Sequence, residues 1–124
     1  MLYTYVYRNE HLAMRTQQLP LTFSDRVIQM ALSIPPGRVT TYGRLARAAG
    51  GGSMASQSIT NVLSKAYDKG IKNIPFHRIV YADGRVWMSP EYEVKRRRLY
   101  EKEGIELDER GRITNFADVL FEFN

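Results

Sequence analysis

Thr41-Tyr42-Gly43-Arg44-Leu45-Ala46-Arg47-Ala48-Ala49, then Gly50-Gly51-Gly52, then Ser53-Met54-Ala55-Ser56-Gln57-Ser58-Ile59-Thr60-Asn61-Val62-Leu63-Ser64-Lys65-Ala66, is the stretch that decides the fold. Thr41 is a good N-cap, because a short hydroxyl side chain can satisfy a free amide of the first turn. The helix it starts buries Leu45 and Ala48-Ala49 and stops at three glycines. Ser53 opens the next helix, with Ile59, Val62, Leu63 and Ala66 on one face and Ser56, Gln57, Thr60, Asn61 and Ser64 elsewhere. Two helices joined by a short glycine-rich turn, the second with a polar face of small residues, predict a helix-turn-helix.

Upstream, Ser24 is a plausible cap for a helix that carries Val27, Ile28, Ala31 and Leu32 on one stripe, ended by Pro35-Pro36-Gly37. Residues 1–22 are rich in tyrosine (Tyr3, Tyr5, Tyr7) and read as an N-terminal arm leading into a domain over 23–124. Downstream, His77-Arg78-Ile79-Val80-Tyr81, Asp83-Gly84 and Arg85-Val86-Trp87 give a β-hairpin signal. A helix from Pro90 to about Glu103 is stopped by Gly104. A second hairpin-like stretch, Ile105 to Ile113, turns at Arg110-Gly111, and Asn115 caps a last short helix. The expected fold is α+β, mostly helical, a winged-helix-like helix-turn-helix DNA-binding domain.

Composition narrows the chemistry. The chain has no cysteine, which removes disulfides, thiolate nucleophiles and cysteine metal sites at once. Only His11 and His77 remain as imidazole ligands, so neither a metal nor any other cofactor is expected. No apolar run approaches the ~20 residues of a membrane span, and residues 1–11 lack a signal-peptide pattern. A soluble protein without a membrane partner is expected: cytoplasmic and nucleoid-associated in a prokaryote, nuclear in a eukaryote. The net charge of +5 is unevenly spread. Residues 26–85 hold nine Lys/Arg against Asp68 and Asp83, whereas residues 99–124 hold three basic and seven acidic residues. A basic central segment suits a phosphate-facing surface, and equally a merely soluble basic protein.

Three segments in order then carry a resemblance. They are Ile34-Pro35-Pro36-Gly37-Arg38-Val39-Thr40-Thr41-Tyr42-Gly43 with Leu45–Gly50, Ile74-Pro75-Phe76-His77-Arg78-Ile79-Val80, and Glu101-Lys102-Glu103-Gly104-Ile105. Together they resemble the DNA-binding, active-site domain of O6-alkylguanine-DNA alkyltransferases, over about Phe23 to Ile113. In the transferases the second segment reads Pro-Cys-His-Arg, and its cysteine takes the alkyl group. Here Phe76 stands in that place, and a phenyl ring offers no nucleophile. Replacement of the cysteine by a large aromatic, usually tryptophan, marks the alkyltransferase-like proteins, which bind alkylated guanine without repairing it.

The resemblance implies a function: non-enzymatic recognition of O6-alkylguanine in double-stranded DNA by base flipping, with the lesion passed to nucleotide excision repair proteins. It implies a monomer. It places Thr41, Tyr42 and Gly43 against the backbone of the target nucleotide, with Tyr42 helping to rotate it. The helix of Ala55, Ser56, Gln57, Ser58, Thr60 and Asn61 enters the minor groove, where small side chains fit, and Arg47 and Lys65 add contacts. Gln57 stands where the family usually has an intercalating arginine. Tyr42, Phe76, His77, Trp87 and Ser89 line the lesion pocket, although Trp87 is equally readable as a hairpin core residue. An arginine that relatives carry further along this loop is missing from Met88-Ser89-Pro90-Glu91-Tyr92. With no thiol to activate, His77 and Glu103 read as a structural pair and Arg78 as a fold-holding residue. Lys95-Arg96-Arg97-Arg98 reads as a solvated helix face away from DNA. Two other readings stay open: a helix-turn-helix regulator without lesion specificity, and an inactivated transferase variant.

Overall fold

A computed structural model describes residues 20–123, so the arm proposed over 1–22 lies mostly outside the described residues. The first helix, α1 (Phe23–Leu32), is capped at Thr22 and not at Ser24. Thr22 Oγ1 accepts from the Asp25 amide at 3.1 Å, and Asp25 Oδ2 accepts from the Thr22 amide at 3.0 Å. That reciprocal box needs an acidic or amide side chain three residues past the cap. Thr22 has Asp25 there, whereas Ser24 would have Val27.

The helix-turn-helix comes next. Strand β1 (Thr40–Thr41) runs into α2 (Tyr42–Ala48), whose cap is Thr41, with Oγ1 3.1 Å from the Arg44 amide. The second helix differs from the expected one at its start. Ser53 caps nothing; the chain makes a tighter 3-10 turn over Ala55–Ser58 and becomes α-helical only in α3 (Ile59–Asp68). Gly51 explains the tightness, since a Cβ built there would lie 2.4 Å from the Ala55 Cβ and 2.8 Å from the Phe23 ring. Arg26 braces the turn from α1, donating to Ala49 O and to Leu21 O at 2.7 Å each.

The expected hairpin across Asp83-Gly84 is reduced to its turn and one bond across it, from Tyr81 N to Arg85 O at 2.9 Å. Ile79 and Val80 make β2 (Ile79–Val80), which pairs in parallel with β1, Thr40 opposite Ile79 and Thr41 opposite Val80. Both residues are buried, so this is a two-sided interior strand and not one arm of an alternating hairpin. The turn itself survives, with Gly84 at φ 87°, a conformation glycine adopts without a Cβ clash. Beyond it the chain pairs with the later segment instead. Val86 N donates to Gly111 O and Ile113 N to Gly84 O, both at 2.9 Å.

Two apolar clusters flank the strand pair. One packs Val27, Ala31, Leu45, Ile59 and Leu63 from the three helices with Ile79; the other packs Val39, Val80, Val86, Tyr100 and Ile113. Successive strand residues point to opposite sides, so Ile79 serves the first cluster and Val80 the second. Each fully buried Leu, Ile or Val adds about 1.5–3 kcal/mol of hydrophobic stabilisation. The helix α4 (Glu93–Lys102) buries Tyr100, and a short α5 (Phe116–Val119) closes the chain. Asn115 stands at the N-cap of α5 as expected but makes no side-chain cap bond; its side chain accepts from the Glu106 amide at 3.2 Å and donates to Gly104 O at 3.4 Å. No helix among the described residues is long and apolar enough to cross a membrane.

Candidate nucleic-acid interface

Thr41 sets the site by starting α2, which puts Tyr42 in the first turn beside Tyr81, ring centroids 5.6 Å apart. Burial raises the Tyr42 pKa, as does Tyr81, while the neighbouring Thr60 side chain and the Arg96 charge oppose the shift. The phenol is therefore neutral at physiological pH. Tyr42 at the head of α2 and Thr60 in the first turn of α3 are thus neighbours across the helix-turn-helix. Arg47 folds back over Gly43, its Nη1 3.5 Å from where a Cβ would stand.

The reading segment divides by exposure. Gln57, Thr60, Asn61 and Lys65 are exposed, Ser56 is half-buried, and Ala55 packs into the turn against Gly51. The Ser58 hydroxyl donates to Ala55 O at 2.8 Å and so closes its own turn. Of the basic residues in the central segment, Arg26 and Arg78 are committed to internal carbonyls and Glu103, Arg44 pairs with Glu122, and Arg85 with Asp83. Arg47, Lys65 and Lys69 are exposed and form no ion pair among the described residues. The usable positive charge thus sits on and around α2 and α3.

Phe76 begins a one-turn 3-10 segment, Phe76–Arg78, between Pro75 and β2. It is half-buried against the first core cluster, and the Tyr67 ring meets it edge-on at 6.0 Å. Behind it the His77 Nε2 lies 2.9 Å from Glu103 Oε2, and Arg78 holds both oxygens of Glu103, at 3.1 and 2.7 Å. The Gly37 amide adds a fourth bond at 3.0 Å. Burial pushes the Glu103 carboxyl up, but the bonds from Arg78, Gly37 and His77 outweigh it and hold the group at about 2. Burial lowers the His77 pKa despite Glu103, so the ring stays neutral into the pH range where a histidine ordinarily takes up its proton. Tyr100 donates its hydroxyl to the His77 backbone carbonyl, and its ring meets the imidazole edge-on at 5.8 Å.

Trp87 is 39% exposed, which excludes it as a hairpin core residue. It stacks at 6.0 Å on Tyr92 and lies under the Arg96 guanidinium at 5.1 Å. Ser89 is half-buried on the same loop, its hydroxyl oxygen without a partner. Three residues were not legible as site residues in the sequence: Tyr81, Tyr67 and Arg96. Tyr81 follows a strand that the hairpin reading paired with the wrong partner. Arg96 is hidden in a run of four cations of which Arg97 alone makes the expected i, i+4 pair, with Glu93 at 3.0 Å. The expectation of a solvated face is corrected at Arg96, which lies over Trp87, and at Arg97, which donates to Asp108 O and Glu109 O at 3.2 and 3.1 Å.

A helix-turn-helix with a tyrosine at the head of its first helix, together with the shelf of Trp87, Tyr92 and Arg96 and the His77–Glu103–Arg78 network, defines a DNA-binding domain of the alkyltransferase type. The chain belongs to the family described as 6-O-methylguanine DNA methyltransferase, DNA binding domain, whose pattern matches residues 22–105. It is 32% identical over 92 residues to a DNA base-flipping protein of Escherichia coli K12, covering 74% of this chain and 69% of that protein. The protein of the same description from Shigella flexneri matches to the same extent. Among solved structures, S. pombe Atl1 in complex with damaged DNA containing O6-carboxymethylguanine superposes with a TM-score of 0.64 at 24% identity. S. pombe ATL in complex with DNA gives 0.62 at 26%, and each covers 82% of this chain and 95% of its own.

Proposed function

We propose that this protein recognises O6-alkylguanine in double-stranded DNA by extruding the base, and holds it without removing the alkyl group. The observation that carries this reading is Phe76, a phenyl ring at the acceptor position, with the His77–Glu103–Arg78 network behind it intact. A chain without cysteine has no thiolate to accept an alkyl group. Its relatives' descriptions, a base-flipping protein and a protein bound to damaged DNA, support the same reading.

Extrusion costs a few kcal/mol in lost stacking and pairing, and least for a base whose Watson–Crick edge is already spoiled. Tyr42 and Tyr81 press on the nucleotide from the head of α2, and Gln57 on the exposed 3-10 turn fills the vacated stack. Phe76 and Trp87 offer faces on which the purine stacks, worth ~1–3 kcal/mol per base. Since no bond is broken, the complex ends as a marker, and removal of the lesion falls to nucleotide excision repair.

The deciding experiment is competition between a short duplex carrying one O6-methylguanine and the same duplex with guanine, at physiological salt. A preference of at least tenfold, ~1.4 kcal/mol, with the methyl group still on the DNA, is expected. Equal binding would leave a general or sequence-reading DNA binder on an inherited fold.

A further inference from the structure

Among the described residues three buried side-chain polar atoms have no hydrogen-bond partner: Thr40 Oγ1, Ser89 Oγ and Arg96 Nη1. Two of the three belong to the loop and helix segment 87–96. An unpartnered buried N–H of a guanidinium is costly, because the group has lost water and gained nothing. Arg96 also makes no ion pair among the described residues, unlike Arg97 beside it. Its surroundings are aromatic: the Trp87 ring lies 5.1 Å from the guanidinium carbon, and its charge is felt by Tyr42 and Tyr100. Burial raises both phenols, Tyr100 to about 12, and the Arg96 charge opposes that rise, at Tyr100 with a side-chain hydrogen bond as well, which leaves Nη1 as the unpartnered nitrogen.

We infer that Arg96 is the hydrogen-bond donor of the base site, presenting an unpaired N–H from α4 to an acceptor on the edge of the extruded purine beside Trp87. The inference rests on the base-holding function proposed above. A planar guanidinium already lying over an aromatic ring is suited to this, since its free N–H groups and its flat face are both fixed in advance. A purine supplies acceptors that guanidinium groups commonly take in pairs. The alternative acceptor, a backbone phosphate, fits less well: Arg96 Nη1 is buried among rings, whereas Arg47 and Lys65 stand exposed for phosphates. Ser89 Oγ is the second unpaired polar group of this segment.

The test compares wild type, Arg96→Gln and Arg96→Lys on three duplexes, carrying O6-methylguanine, guanine, or a stable abasic residue. Trp87 is the chain's one tryptophan, so its emission reports on the shelf directly. For Arg96→Gln we expect a loss of at least about tenfold on the O6-methylguanine duplex. Affinities for the guanine and abasic duplexes, and the melting temperature, stay within about twofold and a degree or two of wild type. Arg96→Lys keeps the charge but not the paired geometry, and recovers only part of the loss. Trp87 quenching on binding the lesion duplex weakens in parallel. An equal loss on lesion and abasic duplexes overturns the inference in favour of a phosphate contact. Retained lesion preference in Arg96→Gln overturns it outright while leaving the base-holding function standing. Absence of lesion preference in the wild type overturns both.

Discussion

His77 and Arg78, adjacent in sequence, share one oxygen of Glu103: Nε2 of His77 lies 2.9 Å from Oε2 and Nη2 of Arg78 lies 2.7 Å from it. The carboxylate joins α4 to the Phe76 turn and, through the Gly37 amide, to the loop after α1. Its pKa, held at about 2 against an ordinary 4.5, ties this network to stability. A depressed carboxyl stabilises the fold above the unfolded value, and that contribution is lost as pH falls from about 5 towards 2. His77, also depressed, acts in the same direction, because protonation favours the unfolded chain once pH drops below the ordinary histidine range. With the Glu103 side chain only 9% exposed, its part is on the order of 3 kcal/mol. Denaturant midpoints measured from pH 7 to pH 2.5 will show this slope, and Glu103→Gln will flatten it. A variant curve as steep as wild type would assign the acid sensitivity elsewhere.

Phe76→Cys places a thiol next to a neutral imidazole that is already oriented by its bond to Glu103 and packed against the Tyr100 ring. The side chain gained is smaller than the one lost, so it fits without crowding, though it leaves space against Tyr67. We expect slow, single-turnover methyl transfer, read as a mass increase of one methyl group after incubation with O6-methylguanine duplex. Wild type gains no mass. A Phe76→Cys protein that binds the lesion and still gains none would show that the shelf geometry no longer lines up the thiol with the alkyl carbon.

Some of this architecture was legible from sequence because it rests on local chemistry. Thr41 caps α2 as expected, since its hydroxyl and the Arg44 amide are three residues apart. The Gly50–Gly52 turn and the Gly104 stop were legible for the same reason. The failures concern partners that sequence distance hides. Ile79-Val80 looked like a hairpin arm because Asp83-Gly84 makes a good turn, but the strand's partner lies 39 residues upstream at Thr40-Thr41. The pairing of Glu103 with His77 was anticipated only through family resemblance; nothing local brings together groups 26 residues apart. Arg96 was misread because charge runs on helices are usually solvated, and only packing shows which member turns inward.

Tyr42→Ala tests extrusion separately from contact. The ring lies 5.6 Å from Tyr81 at the head of α2, where a wedge against the nucleotide backbone would act. In a single strand the base is already free, so the wedge has little to do. We expect about a tenfold or greater loss of affinity for an O6-methylguanine duplex and a loss under threefold for the same lesion in a single strand. A 2-aminopurine placed opposite the lesion will brighten less with the variant. Equal losses on both substrates would make Tyr42 a packing residue.

Gly51→Ala and Gly52→Ala separate the geometry of the turn from its flexibility. At Gly51 a new Cβ meets the Ala55 Cβ at 2.4 Å, the Phe23 ring at 2.8 Å and Ala46 O at 3.0 Å. Phe23 can swing, but Ala55 is short and carried by backbone, so the turn has to open and move the 3-10 segment with it. Overpacking of this kind costs ~1–3 kcal/mol, a fall of roughly 5–15 °C in Tm for a domain this size. At Gly52 the new methyl meets nothing within 4 Å and no positive φ is required. Its substitution reduces the freedom of the unfolded chain and leaves stability unchanged or raised by up to ~1 kcal/mol. Calorimetry on the two variants checks the contrast. DNA affinity should follow it, because the displaced segment carries Ser56 and Gln57. If both alanines are tolerated alike, the close approach of Ala55 to the turn is not what sets the angle between α2 and α3.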